Sequence, residues 1–469
     1  MRSGRPFAVL VALLLAAPAA AAPPPPAPAR AATHRVGFAL RAITPSLGGR
    51  AVYLAGFDND RRATGVHDDL WARAVAFADL EGRQRIVLVS VDLIGFFRDD
   101  VLKARSLLAA KAPSATLVVA STHVHQGPDT MGLWGKGRFS SGVDPAYLDR
   151  VRRAVADAAG EALSRMQPAR LVLAKARTPG LIEDGRLPRV VDDTLVALQA
   201  IGADGTTLGT LVDWSSHPEA LGGTNTLVTS DYAHYLRARV ERSLGGTCVF
   251  VVGSIGGLMT PLGLKLPGPD GREIPKDTFE LAQAVGERAA DAAIAALRTA
   301  PHASASTALE HRGAVVYVPL DNRLFRLATL LGVLDRRLYS GGTPATSLFG
   351  DDLESEIGYL RVGDLEALLV PAEIYPELVL GGIQDPQDGG ADFPGAARER
   401  ALFTLLRSEH RIVVGLANDE IGYVIPRSQW DAKAPFAYGR SEDQYGEINS
   451  TGPQAAARLV AAFERLLGR

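Results

Sequence analysis

A single cysteine, Cys248, stands in 469 residues, so no intramolecular disulfide can frame this chain. It lies inside the apolar run T-C-V-F-V-V-G. Such a thiol is expected to be buried and inert, because reactivity needs an exposed electropositive setting. Charge of one sign is lacking too: 50 Lys and Arg face 52 Asp and Glu, for a net charge of −2. With no dense basic cluster, a nucleic-acid surface is not expected. Beyond the N-terminus no stretch is long and apolar enough to be a transmembrane helix, and there is no internal repeat.

What the sequence does have begins with a leader. Arg2 and Arg5 precede the apolar run Phe7–Ala17, and Ala19 to Ala22 follow as a small-residue cleavage region. Residues 1–22 therefore read as a signal peptide, and no cysteine at the cleavage region carries a lipid. Residues 23–33, which open on P-P-P-P-A-P, read as a stiff Pro/Ala-rich spacer. Residues 34–469 are the folded domain. A secreted chain of this size without disulfides fits the bacterial periplasm or exterior.

The segment Thr116–Gly127, T-L-V-V-A-S-T-H-V-H-Q-G, is a buried strand that runs into two histidines. If the extended conformation persists, His123 and His125 project to the same side of the chain. Paired imidazoles at a strand mouth suit a metal ligand and a proton-transfer group, and equally a pair of solvated loop histidines.

Other strands read at Trp71–Leu80, Arg85–Asp92, Arg170–Ala176, Thr194–Ile201, Leu208–Trp214, Thr247–Gly253, Arg312–Val318 and Arg411–Gly415, with a hairpin over Tyr359–Val370. Helical periodicity marks Asp99–Ala110, Pro145–Met166, 232–244, Asp277–Arg298 and Gly452–Leu467. Ser230-Asp231 reads as an N-cap pair. Residues 320–352 and 384–397 read as loops or insertions. Strand, helix and strand over residues 85–121 form a βαβ unit, whose ligands belong at the C-terminal strand ends.

The expected fold class is α/β, with mixed β-sheets, flanking helices and a metal cleft at the strand ends. Four apolar strands end in polar groups able to share that cleft: His123 with His125, His217, Glu373, and Asn418 to Tyr423.

These segments resemble the catalytic domain of the neutral (non-lysosomal) ceramidase family. Ser121–Pro128, S-T-H-V-H-Q-G-P, resembles that family's A-T-H-T-H-S-G-P. Arg85–Leu93 resembles V-F-V-S-V-D-L, and Gly65–Phe77 is similar to G-I-H-x-x-L-x-A-R-A-F. Asp213–His217 takes the place of N-W-F-A-V-H, Pro371-Ala372-Glu373 resembles P-G-E, and Gly415–Val424 resembles G-L-S-N-T-Y-A-G-Y-V. The matches run in order from about residue 36 to residue 445. The family's immunoglobulin-like C-terminal domain is expected to be absent, since the resemblance ends where it would begin.

The resemblance implies a Zn2+ site made by His123, His217, Glu373 and Tyr423, with His125 beside the metal. It implies that Arg177, in A-R-T-P, faces the substrate carbonyl. The first tyrosine of the family's last motif is Glu420 here. The family's nucleophilic serine sits in G-D-V-S-P; the comparable segment here is Gly257 to Pro261, G-L-M-T-P, which keeps a hydroxyl at Thr260. Either Thr260 or a zinc-activated water then attacks.

The expectation is a secreted zinc hydrolase that cleaves an N-acyl amide of a lipid-like substrate. A hydrolase of the same scaffold acting on another amide or ester is the alternative, and a non-catalytic metal-containing binder is the third reading.

Overall fold

Alternation along the strands decides how the layers stack. In Trp71–Ala78, Val75 and Phe77 point to one face while Ala72, Ala74 and Ala76 point to the other. In Arg85–Val91, Ile86 and Leu88 join the first set, and Val87, Val89 and Val91 the second. Side chains alternate with period two, so a strand apolar on both faces needs a cover on both.

The computed structural model describes residue 1 and residues 31–346, 349–384 and 389–469. The signal peptide expected over residues 1–22 and the spacer up to residue 30 lie outside the described residues. Ala31–Arg469 form one compact unit.

The first sheet runs in the order Thr247–Val252, Thr207–Trp214, Thr194–Gly202, Gln167–Arg177, His34–Ala42, Trp71–Ala78, Arg85–Val91, Ala115–Ser121. The pair at each edge is parallel and the pairs between are antiparallel. In the second sheet, Asp352–Val362 pairs with Leu309–Pro319 and with Leu365–Leu369, which runs parallel to His410–Val414.

The sheets face one another through a core in which Phe38, Phe77 and Leu88 meet Leu360, Leu369 and Val414. Arg98–Ala109 and Pro145–Ser164 cover half of the outer face of the first sheet; Tyr232–Leu244 and Phe279–Thr299 cover the other half. Ala455–Leu467 covers the second sheet. The expected mixed α/β class is found as four layers: helices, sheet, sheet, helix.

Residues 320–352, expected to be loop or insertion, hold regular structure. They hold the helix Arg323–Leu330 and a small hairpin, Leu338–Ser340 with Thr343–Ala345. Asn322 caps this helix, its side chain accepting from the amides of Leu324 and Phe325. Among the described residues no helix is long and apolar enough to cross a membrane.

Helix Tyr232–Leu244, capped by Asp231, is tied to the first sheet by a buried ion pair. Arg237 donates to both carboxylate oxygens of Asp92, at 2.7 and 2.9 Å, and both side chains are at most 2% exposed. Asp92 also accepts from the amide of Trp71 and the hydroxyl of Thr122. The pair thus holds the end of strand Arg85–Val91 against the residue preceding His123.

Removing one partner leaves the other charge buried and unpaired. Arg237→Met or Asp92→Asn is therefore expected to destabilise the fold by about 3–5 kcal/mol, read from urea unfolding midpoints.

Candidate metal centre

Both sheets send strand ends into one place. After Ser121 the amide of Thr122 still bonds the carbonyl of Val91, at 2.9 Å. The backbone then turns at His123, whose φ is +62°. Extended conformation does not persist there, so the period-two argument for the histidine pair fails. The rings nevertheless meet, with centroids 5.0 Å apart at 75°. A turn, not a strand, brings them together.

The second parallel edge delivers His217. Strand Thr207–Trp214 ends, Ser215 and Ser216 follow, and the amide of His217 bonds the carbonyl of Met259 at 2.8 Å. His125 donates its amide to Pro218, which joins the two histidine loops. From the second sheet, Glu373–Ile374 and Tyr423–Val424 form a parallel pair in which Glu373 lies opposite Tyr423. The edge strand Ala115–Ser121 is closed by the 416–418 segment: Asn418 donates its amide to Val119 and accepts from the Val119 amide through its side chain.

Hydrogen bonds fix the tautomers. His123 donates from Nδ1 to the carbonyl of Ile94 at 2.6 Å, and His217 from Nδ1 to that of Met259 at 2.9 Å. Each Nε2 is then left with a lone pair, and both point at one carboxylate oxygen. Glu373 Oε2 is 2.9 Å from His217 Nε2 and 3.2 Å from His123 Nε2. The Tyr423 hydroxyl is 3.4 Å from His217 Nε2.

His125 completes the group: ligand nitrogens of the three histidines all lie within 4.8 Å of one another. Neither ring nitrogen of His125 has a hydrogen bond, although it is buried. A carboxylate facing two lone pairs is repulsive unless positive charge lies between them. Buried imidazoles with their outer nitrogens on backbone carbonyls, one carboxylate and one phenol form a donor set that fits a single divalent cation.

With no ion between them, the carboxylate and the imidazoles pair with one another. Burial alone would raise the Glu373 carboxyl, but His123 and His217 hold it well below the usual range. Burial would lower His217, but Glu373 and Glu219 outweigh it and the net shift is upward. Burial, then the two neighbouring histidines, push His125 well down. Burial and Glu373 together raise Tyr423.

Several groups around the cluster carry no local sequence signal. Glu219 Oε2 lies 3.1 Å from His125 Nδ1, out of line for a hydrogen bond, and its other oxygen accepts from Thr260 Oγ1 at 2.6 Å. Arg61, buried over the ring of Phe57, donates to the backbone carbonyls of Ala55 and His125 and to Gln126 Oε1, pinning the turn that carries His125. Gly56 has φ +93°, and a Cβ there would fall 2.3 Å from His125 Cγ. Glu420 is buried with one oxygen on the amide of Gly422 and the other unpartnered; burial, then Glu373, pushes its carboxyl well up.

The cluster opens onto two adjoining cavities. One, of about 750 Å³, is lined by His123, His125, Glu373, Glu420 and Tyr423 and walled by Ile94, Phe97, Trp134 and Leu334. The other, of about 1520 Å³, shares His125, Gly56, Trp134, Phe325 and Tyr445 with the first and adds Glu219 and Phe57. Thr260 lies behind Glu219, buried and bordering neither cavity. Arg177 is not brought to the histidines: its side chain is 72% exposed, pairs with Asp193 and borders neither cavity.

No family model matches the chain. Over 235 residues it is 26% identical to neutral ceramidase of Pseudomonas aeruginosa, a match that spans 45% of this chain and 34% of that protein's length. The crystal structure of neutral ceramidase from Pseudomonas aeruginosa superposes with a TM-score of 0.69 at 18% identity, covering 93% of this chain and 74% of that one. A ceramidase complexed with C2 gives the same TM-score and identity over 93% and 75%. The chain is neutral ceramidase-like in sequence and shares that fold.

The purified chain is expected to hold one divalent ion, measured by atomic emission. His217→Ala and Glu373→Ala each lower the affinity by at least about a hundredfold, since each removes a donor from a site built for few.

Proposed function

We propose that this protein is a zinc-dependent hydrolase that cleaves an N-acyl amide of a lipid-like molecule, as a ceramidase does. The reading rests on one observation above all: Glu373 Oε2 lies between the Nε2 atoms of His123 and His217 at the floor of an apolar cavity. The relation to a neutral ceramidase in sequence and fold supports the substrate class.

His123, His217, Glu373 and Tyr423 hold the metal. A zinc ion there supplies Lewis-acid polarisation of the scissile carbonyl. The apolar walls take the hydrocarbon and exclude water, which strengthens every charge inside. His125, whose ring nitrogens make no hydrogen bond, lines the cavity where it donates toward charge growing on the carbonyl oxygen. Glu219 borders the cavity and accepts the proton of the attacking group.

Thr260 donates to Glu219 but borders neither cavity, so its hydroxyl is assigned the role of orienting that carboxylate and water that of nucleophile. The same arrangement favours a second reading, hydrolysis of another amide or ester, since the hydroxyl stands back from the cavity. Export to the periplasm or exterior belongs to the proposal, on the strength of Arg2, Arg5 and the apolar run Phe7–Ala17.

Turnover of long- and short-chain N-acyl amides is expected to vanish on chelation and return with zinc. Thr260→Ala costs less than about tenfold in kcat, while Glu219→Gln costs about a hundredfold or more, the range of a lost general base. A loss near a thousandfold for Thr260→Ala assigns the attack to the hydroxyl. Zinc-loaded protein inert to every amide and ester makes it a binder.

A further inference from the structure

One carboxyl of the smaller cavity is left unmatched. Glu420 borders that cavity and is 3% exposed. Its Oε1 accepts from the amide of Gly422 at 2.7 Å, and its Oε2 has no partner among the described residues. A buried polar atom without a partner is costly unless a ligand supplies one. Other polar side chains that border the cavity are engaged. His123 and Glu373 face one another, Arg336 lays both arms on Asp419, and the Tyr445 hydroxyl accepts from Asn449. His125 is unpartnered too, and it is already assigned to the scissile carbonyl.

The fold holds Glu420 in place from several sides. Asp419 before it accepts from Arg336, from the Ser355 hydroxyl and from the amide of Arg98. Ile421 after it donates its amide to the carbonyl of Pro371. Gly95 leaves room for its stem: a Cβ there would fall 3.1 Å from Glu420 Cβ and Cγ and 2.6 Å from Met131 Sδ. With its backbone fixed and one oxygen bonded, the side chain can take a ligand on the other oxygen with little further ordering. The ceramidase motif matched by this segment has a tyrosine at the same place, so the carboxyl is a feature of this chain.

We propose that Glu420 sets substrate specificity by binding a hydrogen-bond donor, hydroxyl or ammonium, on the amine half of the substrate beside the scissile amide. Beyond its carbonyl an acyl chain is hydrocarbon and offers a carboxyl nothing, so the amine half faces Glu420. A hydroxyl donates and accepts, an ammonium donates, and a methyl does neither. A site with a buried polar group rejects a ligand that leaves it unmatched far more strongly than an apolar pocket rejects one methylene. The inference deepens the hydrolase reading and rests on it for the reaction, though not for the binding preference.

The test compares three octanoyl amides of matched size, those of propylamine, ethanolamine and ethylenediamine, which end in methyl, hydroxyl and ammonium. On the zinc-loaded full chain at neutral pH, kcat/KM for the better of the last two is expected to exceed that for the propylamine amide by about a hundredfold or more. Preference for the ethanolamine amide identifies the donor as a hydroxyl, and preference for the ethylenediamine amide identifies it as an ammonium. Glu420→Leu brings that ratio to within about threefold of one. Glu420→Gln, which keeps an acceptor for the Gly422 amide, lowers it by about tenfold. Both variants keep one ion per chain by atomic emission.

A wild-type ratio near one overturns the proposal, and so does a ratio unchanged in both variants. Loss of the ion from Glu420→Gln also overturns it, because the carboxyl then belongs to the metal. A chain that hydrolyses none of the three overturns the hydrolase reading. The intact amides are then compared by calorimetry: Kd values in the same order, levelled by Glu420→Leu, leave the assignment of Glu420 standing, and equal Kd values overturn it as well.

Discussion

Two imidazoles whose outer protons are committed to backbone carbonyls, and one carboxylate facing their bare nitrogens, set the terms for the rest of this molecule. His123 is committed to Ile94 and His217 to Met259. With those protons fixed, the two Nε2 atoms face one Glu373 oxygen at about hydrogen-bond distance, an arrangement that positive charge makes favourable, whether from protons on the rings or from a cation between them. Any ion bound there would couple its binding to the folding of the surrounding loops. The backbone bears the cost nearby: His123, Leu258, Leu416 and Asn418 all have positive φ. Non-glycine residues in that region are uncommon and gather where the surroundings over-determine them.

Why the sheets end where they do follows from this. The first sheet supplies nitrogen donors from its two parallel edges, and the second supplies oxygen donors through the parallel pair of Glu373 and Tyr423. The join between sheets is made by backbone, through Ala120 opposite Ala417, and by Asn418, which also donates to Glu356. Glu356 in turn is gripped by both arms of Arg105 on the helix of the βαβ unit. A displaced second sheet would carry Glu373 away from the histidines.

Much of this was legible because each principal donor ends an apolar run. A polar residue after V-V-A-S-T or L-L-V-P-A has a buried strand behind it, and that places His123 and Glu373 without knowledge of the fold. The strands and helices around them were legible for the same reason, since period two and period 3.6 are local. Glu219 and Arg61 were not. Their partners lie 41 residues away at Thr260 and 64 at the His125 carbonyl, and nothing in H-P-E or D-R-R-A announces either contact. Gly56 was hidden likewise, because its role is the space it leaves for a ring 69 positions on. The two histidines came together for a reason opposite to the one their spacing offered. Helix Arg323–Leu330 is hard to read from the sequence, since its apolar stripe faces outward and periodicity is easiest to trust when it points to a core.

Charge and apolar surface divide the site between them. Glu219, Glu373 and Glu420 are buried carboxylates close to the three histidines, and the low dielectric makes their field strong. Such a field favours a cation at the centre of the cluster. The cavity in front of it is walled by Ile94, Phe97, Trp134 and Leu334, which offer a charge nothing to pair with. One part of the site is therefore suited to an ion and the other to an apolar group, and neither part can stand in for the other.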